Sequence, residues 1–312
     1  MDINLHKNEL IKFTKEVCKK RMLFLTIVDI CIHGKSRKDL ELIRIGLNNR
    51  LNKKLEKQYT PYLNEMREEK NNNKNKIIEN PVWIAWFQGI ENAPDIVRKC
   101  YNSLHSYLPD KKIILITESN YNDFVKLPIT IEKKRKSGII SDAHFSDILR
   151  IELLYTYGGT WIDSTVLLTD SNFPKAFFNA DFFIFQKLKP GSNGDKIGLS
   201  SWFIHSIPNH EIIRNTRAML FNYWENKNHL VDYFLLHHFL AISKKRFELK
   251  NKPIPKFSND VPHMLLLEMN ERFDDDRLKD ILKATPVHKL SYKKVPKKAE
   301  GTIYEHIINK LI

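Results

Sequence analysis

The chain has 312 residues, 42% hydrophobic and 11% aromatic, enough to bury a core and too many for a disordered segment. Its formal charge of +14 favours an anionic partner, whether nucleic acid, an acidic membrane surface or a phosphorylated small molecule. Cys18, Cys31 and Cys100 are odd in number, far apart and form no Cys-x-x-Cys, which argues against a disulfide framework or a zinc site and leaves each as a small buried apolar residue.

The start, "MDINLHKNELIKFTKEV", is polar and helical and predicts no signal peptide. "MLFLTIVDICI", Met22 to Ile32, is about half of the roughly 20 residues that a membrane span needs, and Asp29 interrupts it. It reads as a packed helix. Its basic flanks Lys19, Lys20, Arg21, Lys35, Arg37 and Lys38 also suit a helix lying on an anionic membrane. Apolar positions recur at helical spacing from Glu41 to Leu63. The run from Arg67 to Lys76 is almost wholly polar and reads as a linker, which divides the chain into a helical region, 1–78, and a larger domain, 79–312.

The character changes at Pro81. "VWIAWF" reads as a buried strand, Asn92 to Leu108 as a helix with Asn92 as its cap, and "KKIILIT" as a second strand. This strand, helix, strand order predicts an α/β fold with a mostly parallel, Rossmann-like sheet flanked by helices. Ser141 to Tyr157 reads as a helix stopped by Gly158-Gly159, and "TWIDSTVLL" as a third strand. "DFFIFQKL" and "LSSWFIHS" read as further strands, His210–Asn226 and Val231–Leu249 as helices, and the basic tail Thr285–Lys298 as irregular. The aromatics of "FFNADFFIF" read as core.

Asp163 is out of place in a strand that should be wholly apolar. In open parallel sheets, ligands bind at the carboxyl ends of strands, where a carboxylate can hold a ribose hydroxyl or a divalent cation. Asp147 and Arg150 are three apart and share a helix face. They read either as an ordinary ion pair or as a ligand-facing pair, a carboxylate for hydroxyls and a guanidinium for phosphate. Gly158 and Gly159 allow a tight turn and a close backbone approach. Asp232 and Asp260 read as caps or turns before acceptor-side acids, and adjacent His237 and His238 face apart on a helix. No nucleic-acid motif accompanies the charge, so nucleic acid is not expected as a partner.

The order "SDILRIELLYTYGGTWIDST" resembles the SD…R…LY…GG(W/Y)xD pattern of glycosyltransferases of the GT-A fold. More closely, the chain resembles the capsular polysaccharide synthesis family, related to Asp-x-Asp glycosyltransferases that include fungal mannosyltransferases and clostridial glucosylating toxins. "VWIAWFQGIENAPDIVRKCYNSL" and "HKLSYK" also look like that family, so the resemblance covers roughly residues 80 to 295. It implies transfer of a hexose from a nucleotide diphosphate sugar, a UDP-sugar first, to a growing, lipid-linked glycan, with retention implied by distant relatives. The expected place is cytoplasmic, at the inner face of the membrane.

The resemblance also implies residues. Trp86 in "IAWFQG", with Trp83 as the alternative, would stack on the donor's base, with Gln88 beside it. Asp147 and Arg150 would bind the donor sugar and its phosphate, and Asp163 would meet ribose and metal. Gly158, Gly159, Ser164, Thr165 and Ser201 complete the implied donor site. The second acid of Asp-x-Asp is replaced by Thr165, a weaker ligand for Mn²⁺ or Mg²⁺. Two expectations stand in its place: His288 as a further metal ligand, or Lys289, Lys293 and Lys294 neutralising the diphosphate. A sugar-nucleotide-binding protein without catalysis, or a basic nucleic-acid-binding protein, is the alternative.

Overall fold

The computed structural model describes residues 7–34, 36–66, 78–189, 194–296 and 298–310. The linker expected at Arg67–Lys76 lies outside them. Helices α1 (Lys7–Lys20), α2 (Leu23–His33) and α3 (Arg37–Glu65) lead the chain. α3 begins at a capping box: Asp39 N–H donates to Ser36 Oγ at 3.2 Å, and Ser36 N–H donates to the Asp39 carboxylate at 3.0 Å. Its apolar stripe, Leu40, Ile43, Leu47, Leu51, Leu55, Tyr59 and Leu63, is buried in one core with the sheet-bearing part of the chain.

α2 departs from expectation. Of its residues only Thr26 is buried, and Phe24 is 76% exposed and Ile32 69%. Its apolar side chains occur all round the helix, while its main neighbour is α3, held through the Asp29–Arg50 ion pair at 2.5 Å. One contact face cannot cover them. Cys18 and Cys31 are also exposed, and Cys100 alone of the three is buried as expected.

The main sheet has the order β2-β1-β3-β6-β5, from β1 (Pro81–Ala85), β2 (Lys112–Ile116), β3 (Gly159–Ile162), β5 (Phe182–Gln186) and β6 (Leu199–Ser206). β1 pairs in parallel with both β2 and β3, and β6 lies antiparallel between β3 and β5. Four strands therefore run one way and β6 alone runs against them. β2 and β3 flank β1 on opposite sides, so a crevice opens at the carboxyl ends of β1 and β3.

Helix α4 (Asp95–Tyr107) connects β1 to β2. It starts after Pro94, not at Asn92, which closes a one-turn 3₁₀ helix, Ile90–Asn92, and donates to Gln88 O at 2.9 Å. The short α5 (Tyr121–Phe124) and α6 (Ile129–Lys136) precede α7 (Asp142–Tyr157), which delivers the chain to β3.

The expected third strand is two. The backbone leaves the sheet at Asp163, and Val166–Leu168 forms β4 in a second, two-stranded sheet with β7 (Val287–Lys289). The tail expected to be irregular thus holds a strand, because the apolar β4 supplies its partner. α8 (Ala176–Asn179), α9 (Glu211–Asn226), α10 (Leu235–Glu248), α11 (Met264–Glu268), α12 (Asp275–Ala284) and α13 (Ile303–Lys310) complete the fold. Phe177, Phe183, Phe185 and Phe203 pack edge to face in the core on one side of the sheet, as the aromatic run predicts.

Candidate functional site

The carboxyl end of β3 carries the chain into the crevice through Asp163-Ser164-Thr165. Asp163 N–H donates to Trp202 O at 2.8 Å, extending the β3–β6 ladder by one bond before the strand breaks away. Asp163 Oδ1 accepts from Trp161 Nε1 at 2.8 Å and from Arg150 Nη2 at 3.1 Å. Arg150 comes from α7, is 5% exposed, and places its other terminal nitrogen 3.1 Å from Asp147 Oδ1. Its guanidinium lies over the Trp161 ring at 4.8 Å from the centroid. One arginine therefore ties the two carboxylates together at the mouth of the crevice, and the helix pairing read from the sequence extends to a third partner.

β7 brings Lys289 to the same point. Its ammonium donates to Thr165 Oγ1 at 2.6 Å and to Leu290 O at 3.2 Å, and stands 3.9 Å from Asp163 Oδ2. Burial lowers the Lys289 pKa from its ordinary value, and the Asp163 carboxylate opposes that shift. A cation thus sits on the Thr165 hydroxyl, two residues on from Asp163.

The crevice encloses about 720 Å³. Trp86 and Gln88 line it from the end of β1, Ser164 and Thr165 from the break after β3, and Ser201 from β6. Tyr292 packs edge-on to Trp86 at 5.6 Å, and Trp86 Nε1 has no hydrogen-bond partner among the described residues. Lys293 and Lys294 line the rim.

Three expectations are corrected. Trp83 is fully buried, donates Nε1–H to Gly158 O at 2.9 Å and packs on Phe124 and Tyr157, so it cannot stack on a ligand. Gly158 and Gly159 sit at the opposite end of β3 from Asp163, with φ of 67° and 87°. They close the turn from α7, and a side chain on Gly159 would enter the Pro81 backbone. His288 is fully buried on the face of β7 opposite Lys289 and bonds through Nε2 to Thr169 Oγ1 at 3.0 Å, with burial pushing its pKa down to about 4. It is not a crevice ligand. Asp232, read as a cap or turn, is buried against Lys20 at 2.5 Å and accepts from Phe234 N–H at 2.6 Å, a turn tied to α1. Asp260 bonds within its own turn to Ser258.

The crevice also gathers residues that sequence reasoning missed: Ser291, Tyr292, His237 and His263. "SYKK" directly follows "HKL", so the first two had a local signal. The adjacent histidines do face apart: His238 is fully buried beside Asn52, while His237 lines the crevice, held near pKa 4 by burial. His263 Nδ1 lies 2.7 Å from Asn259 O. A carbonyl only accepts, so Nδ1 carries the proton and Nε2 the lone pair. Burial holds its pKa below the usual histidine value.

Among the described residues no cluster of three or more His, Cys, Asp or Glu could hold a metal. The protein offers Asp163, already bonded to Arg150 and Trp161, and Thr165, already bonded to Lys289. That donor set does not fit a divalent cation caged by side chains.

The family model for capsular polysaccharide synthesis proteins matches residues 36–307. The chain belongs to that family. The match begins at Ser36, the cap of α3, so the long N-terminal helix is part of the family unit, where the motif resemblance had started near residue 80. The family unit therefore includes the core that α3 shares with the sheet. The O-glycosyltransferase PaGT of Phomopsis amygdali is 28% identical over 102 residues, 30% of this chain and 25% of that protein. The match thus spans about a quarter of that relative's length. A solved structure, PaToxG Glycosyltransferase, aligns over 85% of this chain and 97% of its own, at 14% identity and a TM-score of 0.39.

Proposed function

We propose that this glycosyltransferase transfers a hexose from a UDP-sugar to a hydroxyl of a growing, lipid-linked glycan. The observation that carries the reading is Arg150, buried between Asp147 and Asp163 at the carboxyl end of β3 with the Lys289 ammonium beside it. Trp86 at the end of β1 offers a ring for the base, and Asp163 an oxygen for the ribose. Arg150, Lys289 and Lys293 supply positive charge for the diphosphate. As the bond from the anomeric carbon to the diphosphate breaks, its electron pair goes to the phosphate oxygen, and fixed cations there lower the barrier. Lys289 takes the place of a metal in this reading. Retention at the anomeric carbon is part of it, read from the anomeric proton coupling of the product.

The test is thermal shift with a panel of nucleotide diphosphate sugars, with and without Mn²⁺, for wild type and Asp163→Ala. The expected result is stabilisation by a UDP-sugar without Mn²⁺, lost in the variant. At a ligand concentration of 100 Kd the stabilisation amounts to about 2.7 kcal/mol. No shift with any nucleotide sugar would sink the reading, and a shift only with Mn²⁺ would sink the role given to Lys289.

α2 supports a membrane-surface reading. No helix among the described residues is long and apolar enough to cross a membrane. α2 nonetheless exposes Leu23, Phe24, Leu25, Ile27, Val28 and Ile32, with exposed Lys19, Arg21, Arg37 and Lys38 around it. Lys20 is turned inward to Asp232, and Lys35 lies outside the described residues. Apolar residues edged by basic ones fit an anionic bilayer, where each Lys or Arg near the surface contributes about 1 kcal/mol. Phe24→Ser with Ile32→Ser is expected to abolish co-sedimentation with vesicles rich in phosphatidylserine while leaving the fold intact. Undiminished sedimentation of the double variant would defeat this reading. Deleting residues 1–78 is a poorer test, because it strips α3 from the core.

A further inference from the structure

Next to the donor crevice lies a groove of about 650 Å³. One wall is the first three turns of α3, where Arg37, Glu41, Arg44 and Asn48 follow at spacings of four, three and four and share a helix face. The facing wall is built from Ser200, Ser201 and Trp202 of β6 and the Lys187–Asp195 pair. Asp163, Ser201, His237, His263 and Lys289 line both groove and crevice, so the two are continuous.

The α3 wall has surplus positive charge. Arg37 has no hydrogen bond or ion pair among the described residues, and Arg44 lies over the Phe13 ring at 5.5 Å without a carboxylate partner. Glu41 is the single acid between them. Other basic groups nearby are engaged: Lys187 with Asp195 at 3.3 Å, Arg50 with Asp29 at 2.5 Å, and Lys289 with Thr165. The facing side is suited to hydroxyls. Trp202 Nε1 and Ser200 Oγ both donate to Asn259 Oδ1, at 2.8 and 2.6 Å, which fixes the Asn259 amide. At the shared floor, His263 keeps a lone pair on Nε2 because Nδ1 is spent on Asn259 O.

We propose that this groove is the acceptor site and that it takes a saccharide bearing an anionic group, a carboxylate or a phosphate, which Arg37 and Arg44 read. The reacting hydroxyl donates to His263 Nε2 at the junction with the donor crevice. The proposal rests on the glycosyltransferase reading of that crevice. Two sources carry the same chemistry: an acidic sugar within the glycan, or the diphosphate that joins a glycan to a prenyl carrier. The second suits a groove whose α3 wall begins at Arg37, five residues after Ile32 of α2.

The experiment titrates the full chain, with UDP present, with tri-galacturonate, with maltotriose, and with N-acetylglucosamine on a short-chain prenyl diphosphate. The expected result is saturable binding of at least one anionic probe, about ten-fold or more tighter than maltotriose. Arg37→Ala with Arg44→Ala should bring that probe down to the maltotriose level, with the affinity for UDP and the Tm unchanged. Preference for the galacturonate identifies an acidic sugar, and preference for the prenyl probe identifies the lipid linkage. Equal binding of maltotriose, displacement of the probe by UDP, full binding by the double variant, or no binding of either anionic probe would each overturn the proposal. Failure of UDP itself to bind, with the anionic probe behaving as expected, would count against the donor reading and leave the groove standing.

Discussion

Arg150→Ala is expected to lower kcat/KM for sugar transfer by roughly 10³-fold, and to cost about 1–3 kcal/mol of stability, because Asp147 and Asp163 lose the guanidinium they share. The side chain is 5% exposed and holds Asp147 and Asp163 through separate nitrogens. Without it, two carboxylates face each other across the crevice mouth, and the diphosphate loses a fixed positive charge where negative charge develops. Arg150→Lys should recover only part of either loss. A single ammonium cannot reproduce the planar fork that reaches both acids and lies over Trp161. Thermal unfolding, binding of UDP and hydrolysis of the UDP-sugar separate the two effects. A variant within ten-fold of wild type in kcat/KM would remove Arg150 from the proposed chemistry, whatever its stability.

Gly159→Ala is expected to destabilise the protein by about 2–4 kcal/mol, and to leave the affinity of the folded protein for UDP unchanged. Gly159 has φ of 87°, where an L side chain is strained, and an added Cβ would meet the Pro81 carbonyl oxygen and ring. Pro81 opens β1, so the clash falls on the backbone of a central strand and cannot be relieved by a rotamer change. Denaturant unfolding reads the first expectation and UDP titration the second. A stable Gly159→Ala protein that fails to bind UDP would return this glycine to the donor site.

Helix α7 and strand β3 were legible because both signals are local: an apolar helical face, a glycine stop, a short β-branched and aromatic run. Asp163 stood out for the same reason. What the sequence could not supply was register and distance. Trp83 and Trp86 are alike in type, and only the end of β1 at Ala85 puts one in the core and the other at the crevice. His288 and Lys289 alternate on β7, so one can face the crevice and the other must turn to Thr169. Nothing local fixes which, since β7 is three residues long and exists only through its pairing with β4. The Thr165–Lys289 bond spans 124 residues, and the groove joins α3 to β6 across a longer interval. The exposure of α2 was hidden for the opposite reason: apolar composition announces burial but does not name a neighbour.

The single backbone bond from Asp163 N–H to Trp202 O has a mechanical consequence. Asp163 lines the crevice and Trp202 the wall of the groove, and the bond ties the two linings together through the backbone. The floor between the two cavities cannot widen without breaking the β3–β6 ladder. The spacing between crevice and groove at this point is thus set by main-chain pairing, not by side-chain rotamers.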